Sequence, residues 1–171
     1  MSILPIFIPH AGCPHQCVFC NQKTISGQKL AAVAGAKEQL ARWRSWLRPS
    51  VVNEAAFYGG SFTGLPLELQ EELLALTDAL LAEGFIGSVR LSTRPDYIDE
   101  ERLQLLQCHG VRLVELGVQS LDDRVLAAAE RGHTAAQVAP AVALLKRFGF
   151  QVGLQLMVGM PEQSFDSVQE T

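Results

Sequence analysis

Short apolar runs alternate with longer stretches of helical period along this chain. Residues 4–9 make the first run, rich in branched side chains and bounded by Pro5 and Pro9, which predicts a short, fully buried strand. A polar loop over 21–29 leads to a helix from Leu30 to Leu47. Val33, Leu40, Trp43 and Leu47 share one face of it, and Arg42, Arg44 and Arg48 make the opposite face basic, as expected of a solvated surface. A second run, 51–58, ends in Gly59-Gly60-Ser61. Pro66 to Glu83 then reads as an amphipathic helix with Leu69, Leu73, Leu76 and Leu80 inward and Gly84 as its stop. The third strand is placed at Ser88 to Ser92, and Asp99 caps a helix from Glu100 to Gln107. The fourth strand is Leu113 to Val118, followed by helices from Asp122 to about Glu130 and from Thr134 to Phe148, the latter kinked or broken at Pro140. The fifth strand, Gln151 to Val158, precedes a helix beginning near Phe165.

Five strand–helix units imply a parallel sheet with helices outside, either an open doubly wound sheet or part of a barrel. In both, the active site forms at the C-terminal ends of the strands. The unusual residues gather there: the cysteine loop, Gly59-Gly60, Thr93-Arg94, Gln119 and Gly159-Met160-Pro161.

The chain of 171 residues is 48% hydrophobic and 19% charged, enough apolar mass for one sizeable core. A net charge of −4 offers no generalised basic surface for nucleic acid. No apolar run is long enough to span a membrane, and no secretory h-region is present, so a cytoplasmic location is expected, where clustered cysteines bind metal more often than they form disulfides.

Three of the four cysteines, Cys13, Cys17 and Cys20, fall in a C-x3-C-x2-C loop directly after the first run. On a loop this spacing lets three sulfurs converge while leaving one coordination position open. Two chemistries fit: a zinc site completed by His10 or His15, or an iron–sulfur cluster whose fourth iron takes a non-protein ligand. Cys108, at the end of a helix, is read as a small packed residue.

Taken together, these motifs resemble the radical S-adenosylmethionine (SAM) superfamily over nearly the whole chain, from Leu4 to Ser167. The resemblance implies a partial TIM-type (βα)n barrel of which five units are present, a [4Fe–4S] cluster on Cys13, Cys17 and Cys20, and SAM as cofactor. It implies Phe19 near the adenine, the backbone of Gly59, Gly60 and Ser61 at the methionyl amine, and Ser92 and Arg94 near the methionyl carboxylate and amine. It also implies Gln119 of Leu-Gly-Val-Gln-Ser at the ribose, Gln155 on the fifth strand, and Gly159-Met160-Pro161 against the adenine. Cys-Pro-His-Gln-Cys-Val-Phe-Cys and Ser-Thr-Arg-Pro-Asp-Tyr are most similar to the branch holding the elongator catalytic subunit and relatives of oxygen-independent coproporphyrinogen oxidase.

In that family the reduced cluster cleaves SAM to a 5′-deoxyadenosyl radical that abstracts hydrogen from a substrate. The implied partners are SAM, an electron donor such as flavodoxin or ferredoxin, and a tRNA or tetrapyrrole-type substrate. Two alternatives stand beside this reading: a zinc-stabilised α/β binding module without redox chemistry, and an inactive fragment. Residues 1–171 are expected to be the N-terminal core of a longer chain, because the family closes six strands and adds a C-terminal region.

Overall fold

The computed structural model describes residues 2–8, 12–20, 32–50 and 52–171. The expected polar loop over 21–29, the start of the first helix and the candidate ligand His10 lie outside them. Five strands, β1 (Ile3–Phe7), β2 (Glu54–Tyr58), β3 (Ser88–Thr93), β4 (Val111–Gln119) and β5 (Gln151–Leu156), pair in parallel in the order β1-β2-β3-β4-β5. A doubly wound sheet reverses its strand order, and this one does not. The chain is therefore a singly wound, five-unit partial TIM-type barrel.

The crossovers are α1 (Ala32–Trp46), α2 (Leu67–Ala82), α3 (Glu100–Cys108), α4 (Asp123–Ala128) and α5 (Val138–Arg147), and α6 (Phe165–Glu170) follows β5. Right-handed crossovers in an unreversed order put the helices on one face of the sheet. That face carries the core: Leu4, Ile6 and Ile8 of the β1 region, Phe57 of β2, Leu91 of β3, and Leu116 of β4 pack with Leu73, Leu74, Leu103 and Leu106 from α2 and α3. Truncating a fully buried leucine here, such as Leu73 to Ala, should cost about 2–5 kcal/mol.

Three expectations need correction. The first strand is buried on one face only, with Ile3 and Phe7 substantially exposed on the other, because the helices that form the core cover one face of the sheet. Its open edge is closed by Gln39 of α1, whose side chain accepts from the Phe7 N–H at 2.8 Å and donates to the Phe7 carbonyl at 3.1 Å. Pro140 causes no kink. The turn after Thr134 is a separate 3-10 segment, Ala135–Gln137, and α5 starts at Val138, so the proline lies in a first turn where no N–H is needed. Cys108 is exposed rather than packed, on the last turn of α3 and away from the strand ends that hold the other cysteines.

The opposite face of the sheet is unlike a filled barrel interior, whose layers are dominated by bulky branched residues. The registers place Ile3, Pro5 and Phe7 of β1, Glu54, Ala56 and Tyr58 of β2, Ser88, Arg90 and Ser92 of β3, Leu113, Glu115 and Gly117 of β4, and Gln151, Gly153 and Gln155 of β5 on it. From β2 to β5, charges and small residues leave this side hollow.

Candidate functional site

The cysteine loop reaches the strand ends by a close meeting of backbones. Gly12 adopts φ +81°, and a Cβ there would sit on the Ser61 carbonyl and against the backbone of Gly64 and Leu65. A Cβ on Gly64 would strike the Gly12 carbonyl in return. Further along, the Val18 N–H donates to the carbonyl of Ala129 at 3.1 Å, and the Cys20 N–H closes a turn onto the Cys17 carbonyl at 2.9 Å. The loop is thus held between the turn after β2 and the end of α4.

All three sulfur-bearing residues line one cavity of about 340 Å³, together with His15 and Phe19. Its other walls come from successive strand ends: Gly60 after β2, Ser92, Thr93 and Arg94 at β3, Gly117 and Gln119 on β4, and Gln155 and Met157 from β5 and beyond. Arg131 completes it. Among the described residues no three His, Cys, Asp or Glu side chains converge on the position of one metal ion.

The glycine pair divides its work. Gly59, at φ +110°, would place a Cβ 2.6 Å from the Ile8 carbonyl, so its lack of a side chain lets β1 and the β2 turn approach. Gly60 lines the cavity. Ser61 is buried and turned away from it, its hydroxyl bonded to that of Thr93 at 2.9 Å. Gly159 and Pro161 do not line the cavity either. Their segment is fixed by Gln163, whose Oε1 accepts from the N–H groups of Gly159 and Met160 and whose Nε2 donates to the Met157 carbonyl. Met160 packs with Val125, Ala129, Phe19 and Met157 in a small apolar cluster beside the cysteine loop.

Arg131 makes the cavity electropositive, Arg94 being paired with Asp96, and none of its described lining residues is acidic. Arg94, 2% exposed, is gripped by Asp96 through Nε and Nη2, both at 2.8 Å, and donates from Nη1 to the carbonyl of Arg131 at 2.7 Å. It therefore orders the neighbouring arginine's backbone. Arg131 follows α4 and folds inward, donating from Nη2 to the Gly117 carbonyl at 2.6 Å and from Nη1 to Cys17 Sγ at 3.7 Å. Among the described residues its buried Nε has no partner, nor has the buried Oε1 of Gln119. Gln119 reaches its place through a register shift at the end of β4 and a positive φ of 70°. Burial pushes the Cys13 thiol above the ordinary range, opposed by the Ser61 N–H and by the two arginines.

Behind this wall His133 is 4% exposed, and burial with the charges of Arg131 and Arg94 pushes its pKa down to about 4. Unfolded, it titrates near 6.5. Between those values the unfolded chain binds the extra proton, so stability falls as pH drops from 6.5 toward 4, with a contribution of up to about 1.4 kcal/mol per pH unit. Urea unfolding at pH 7 and pH 5 should show a shallower loss in His133→Leu than in the parent. An equal loss in both would remove His133 as the cause.

Sequence reasoning missed Arg131, Gly117 and Met157. Gly117 carried a signal, since a glycine inside a strand marks close approach by another group. That group is Arg131: a Cβ at Gly117 would lie 2.8 Å from its Nη2.

A singly wound βα sheet with a three-cysteine, electropositive cavity at its strand ends defines a class of cofactor-binding barrel. The chain belongs to the radical SAM superfamily, whose family model matches residues 7–171. It is 25% identical to a tRNA uridine(34) acetyltransferase of Methanocaldococcus infernus, over 97% of this chain and 38% of that protein. It is 26% identical to the heme chaperone HemW of Bacillus subtilis, over 93% of this chain and 43% of the relative. Among solved structures, the coproporphyrinogen III oxidase of Escherichia coli, a radical SAM enzyme, superposes with a TM-score of 0.72 at 22% identity, covering 99% of this chain and 40% of that one. The chain thus spans about two-fifths of the length of each of these proteins. No helix among the described residues is long and apolar enough to cross a membrane.

Proposed function

We propose that this chain is the cofactor-binding core of a radical SAM enzyme, with Cys13, Cys17 and Cys20 holding a [4Fe–4S] cluster and the facing wall holding SAM. The observation that carries this reading is the meeting of three cysteines and Arg131, which touches Cys17, in one cavity with no acidic residue among its described lining. Three thiolates on one cluster leave negative charge, and the methionyl carboxylate adds more. Both gain from buried guanidinium groups. The unpartnered Arg131 Nε and Gln119 Oε1 supply a donor and an acceptor that a polar ligand can satisfy.

Bound together and reduced, these cofactors supply a 5′-deoxyadenosyl radical for hydrogen abstraction. The chain's own part is placement. Gly60 leaves room for the methionyl group beside the backbone. Ser92 and Gln155 offer hydrogen bonds across the cavity, Arg131 presents charge held by Gly117, and Phe19 and Met157 keep water from one side. Gly59, Ser61, Gly159 and Pro161 shape the loops that carry these groups, and Arg94 orders Arg131. The tRNA uridine(34) acetyltransferase relative and the coproporphyrinogen III oxidase neighbour favour an RNA or tetrapyrrole-type substrate; a flavodoxin- or ferredoxin-like electron donor and a cytoplasmic setting complete the proposal.

Anaerobic reconstitution should give a brown protein with about four irons per chain. On reduction it should convert SAM to 5′-deoxyadenosine. A colourless protein retaining one zinc would overturn the proposal. Gly60→Val should weaken SAM binding by about tenfold or more while iron content stays unchanged, and unaltered affinity by calorimetry would remove Gly60 from the SAM wall.

A further inference from the structure

A second cavity, of about 350 Å³, opens beside the first on the hollow face of the sheet and is lined by Tyr58, Ser92, Glu115, Gly153, Leu154 and Gln155. Ser92 and Gln155 line both cavities, so the two adjoin. Their charges are opposite. Behind the second lies a chain of ionic contacts across three strands: Arg90 of β3 donates to Glu54 of β2 at 3.2 Å and to Glu115 of β4. Ser88 and Ser92 donate one hydroxyl each to Glu54 and Glu115, both at 3.0 Å. Two carboxylates share one guanidinium, which leaves a net negative charge on a partly buried wall, where it is weakly screened.

The Glu115 carboxylate has about four lone-pair directions, of which Arg90 and Ser92 occupy two. Tyr58 stands at the mouth as a neutral phenol, its ionisation suppressed by burial and by Glu115. The space exists because position 153 has no side chain: a Cβ there would lie 3.3 Å from Glu115 Cγ.

We infer that this groove is a substrate subsite that takes a nitrogen-bearing hydrogen-bond donor, an ammonium or amidinium group, on Glu115 and Tyr58, and refuses carboxylates and phosphates. Its role as a substrate site rests on the cofactor reading, since the groove adjoins the cavity assigned to SAM. Its charge preference does not.

The test uses three flat probes of nearly one shape, benzamidine, benzamide and benzoate, titrated into the protein by NMR. Benzamidine should bind at least about tenfold more tightly than benzoate, with benzamide between them. Glu115→Gln should shrink that preference, and Gly153→Val, which fills the groove, should weaken benzamidine about tenfold or more. Both variants should still take up iron on reconstitution, which shows the fold and the cysteine loop intact. Equal or tighter binding of benzoate, no saturable binding of any probe, or benzamidine binding indifferent to Gly153→Val would overturn the inference and leave the ionic chain as a strand tie. Retained probe selectivity in a protein that takes up no iron would overturn the cofactor reading alone.

Discussion

Cys13→Ala, Cys17→Ala and Cys20→Ala should each abolish the reconstituted cluster, whereas Cys108→Ala should leave iron content unchanged. The first three line one cavity, and the fourth is exposed on the last turn of α3. The effect should be all or nothing, because a cluster with three protein thiolates that loses one has only two anchors and an exposed iron. Cys17→Ala should in addition lower the stability of the fold most. Cys17 is 8% exposed and takes the Arg131 guanidinium, so its loss also frees a buried charge. Iron analysis and visible absorbance after anaerobic reconstitution decide the matter. Loss of iron in a folded Cys108→Ala protein, or its retention in any of the other three, would defeat the assignment.

Gly12→Val should also strip the cluster although it removes no ligand. A side chain at Gly12 collides with the Ser61 carbonyl, a fixed backbone atom, and must also adopt a left-handed φ that disfavours β-branched residues. The cysteine loop has to lift from the turn after β2, taking Cys13 with it. The sheet does not depend on this contact, so the far-ultraviolet spectrum should persist while iron uptake drops by about tenfold or more. Full iron uptake by the variant would mean that the Gly12–Gly64 approach is incidental to the site.

The strand–helix rhythm was legible because it rests on local period, and the cysteine loop because its spacing is local too. What sequence left open, doubly wound against singly wound, depends on which strands neighbour in space. Arg131 was hidden for a similar reason. It follows α4 rather than a strand, between Glu130 and Gly132, both at positive φ, and nothing in its neighbourhood shows that the chain turns it inward. At Ser61 the motif speaks for the backbone alone: its hydroxyl is tied to Thr93, a pairing between residues far apart in sequence that no local pattern shows. Gly159 and Pro161 likewise shape a loop that Gln163 locks, while the cavity wall there is Met157.

The unreversed strand order bears on biosynthesis. Each strand pairs with the one made just before it, so the sheet can extend from β1 as the chain is synthesised, and each new pairing closes only one crossover loop. The cysteine loop is made before Arg131, Gln155 and Met157, which close the cavity around it. Until β5 has been made, the thiols would therefore stand open to oxygen and to stray metal ions. Enclosure of whatever they hold comes only after β5 has joined the sheet.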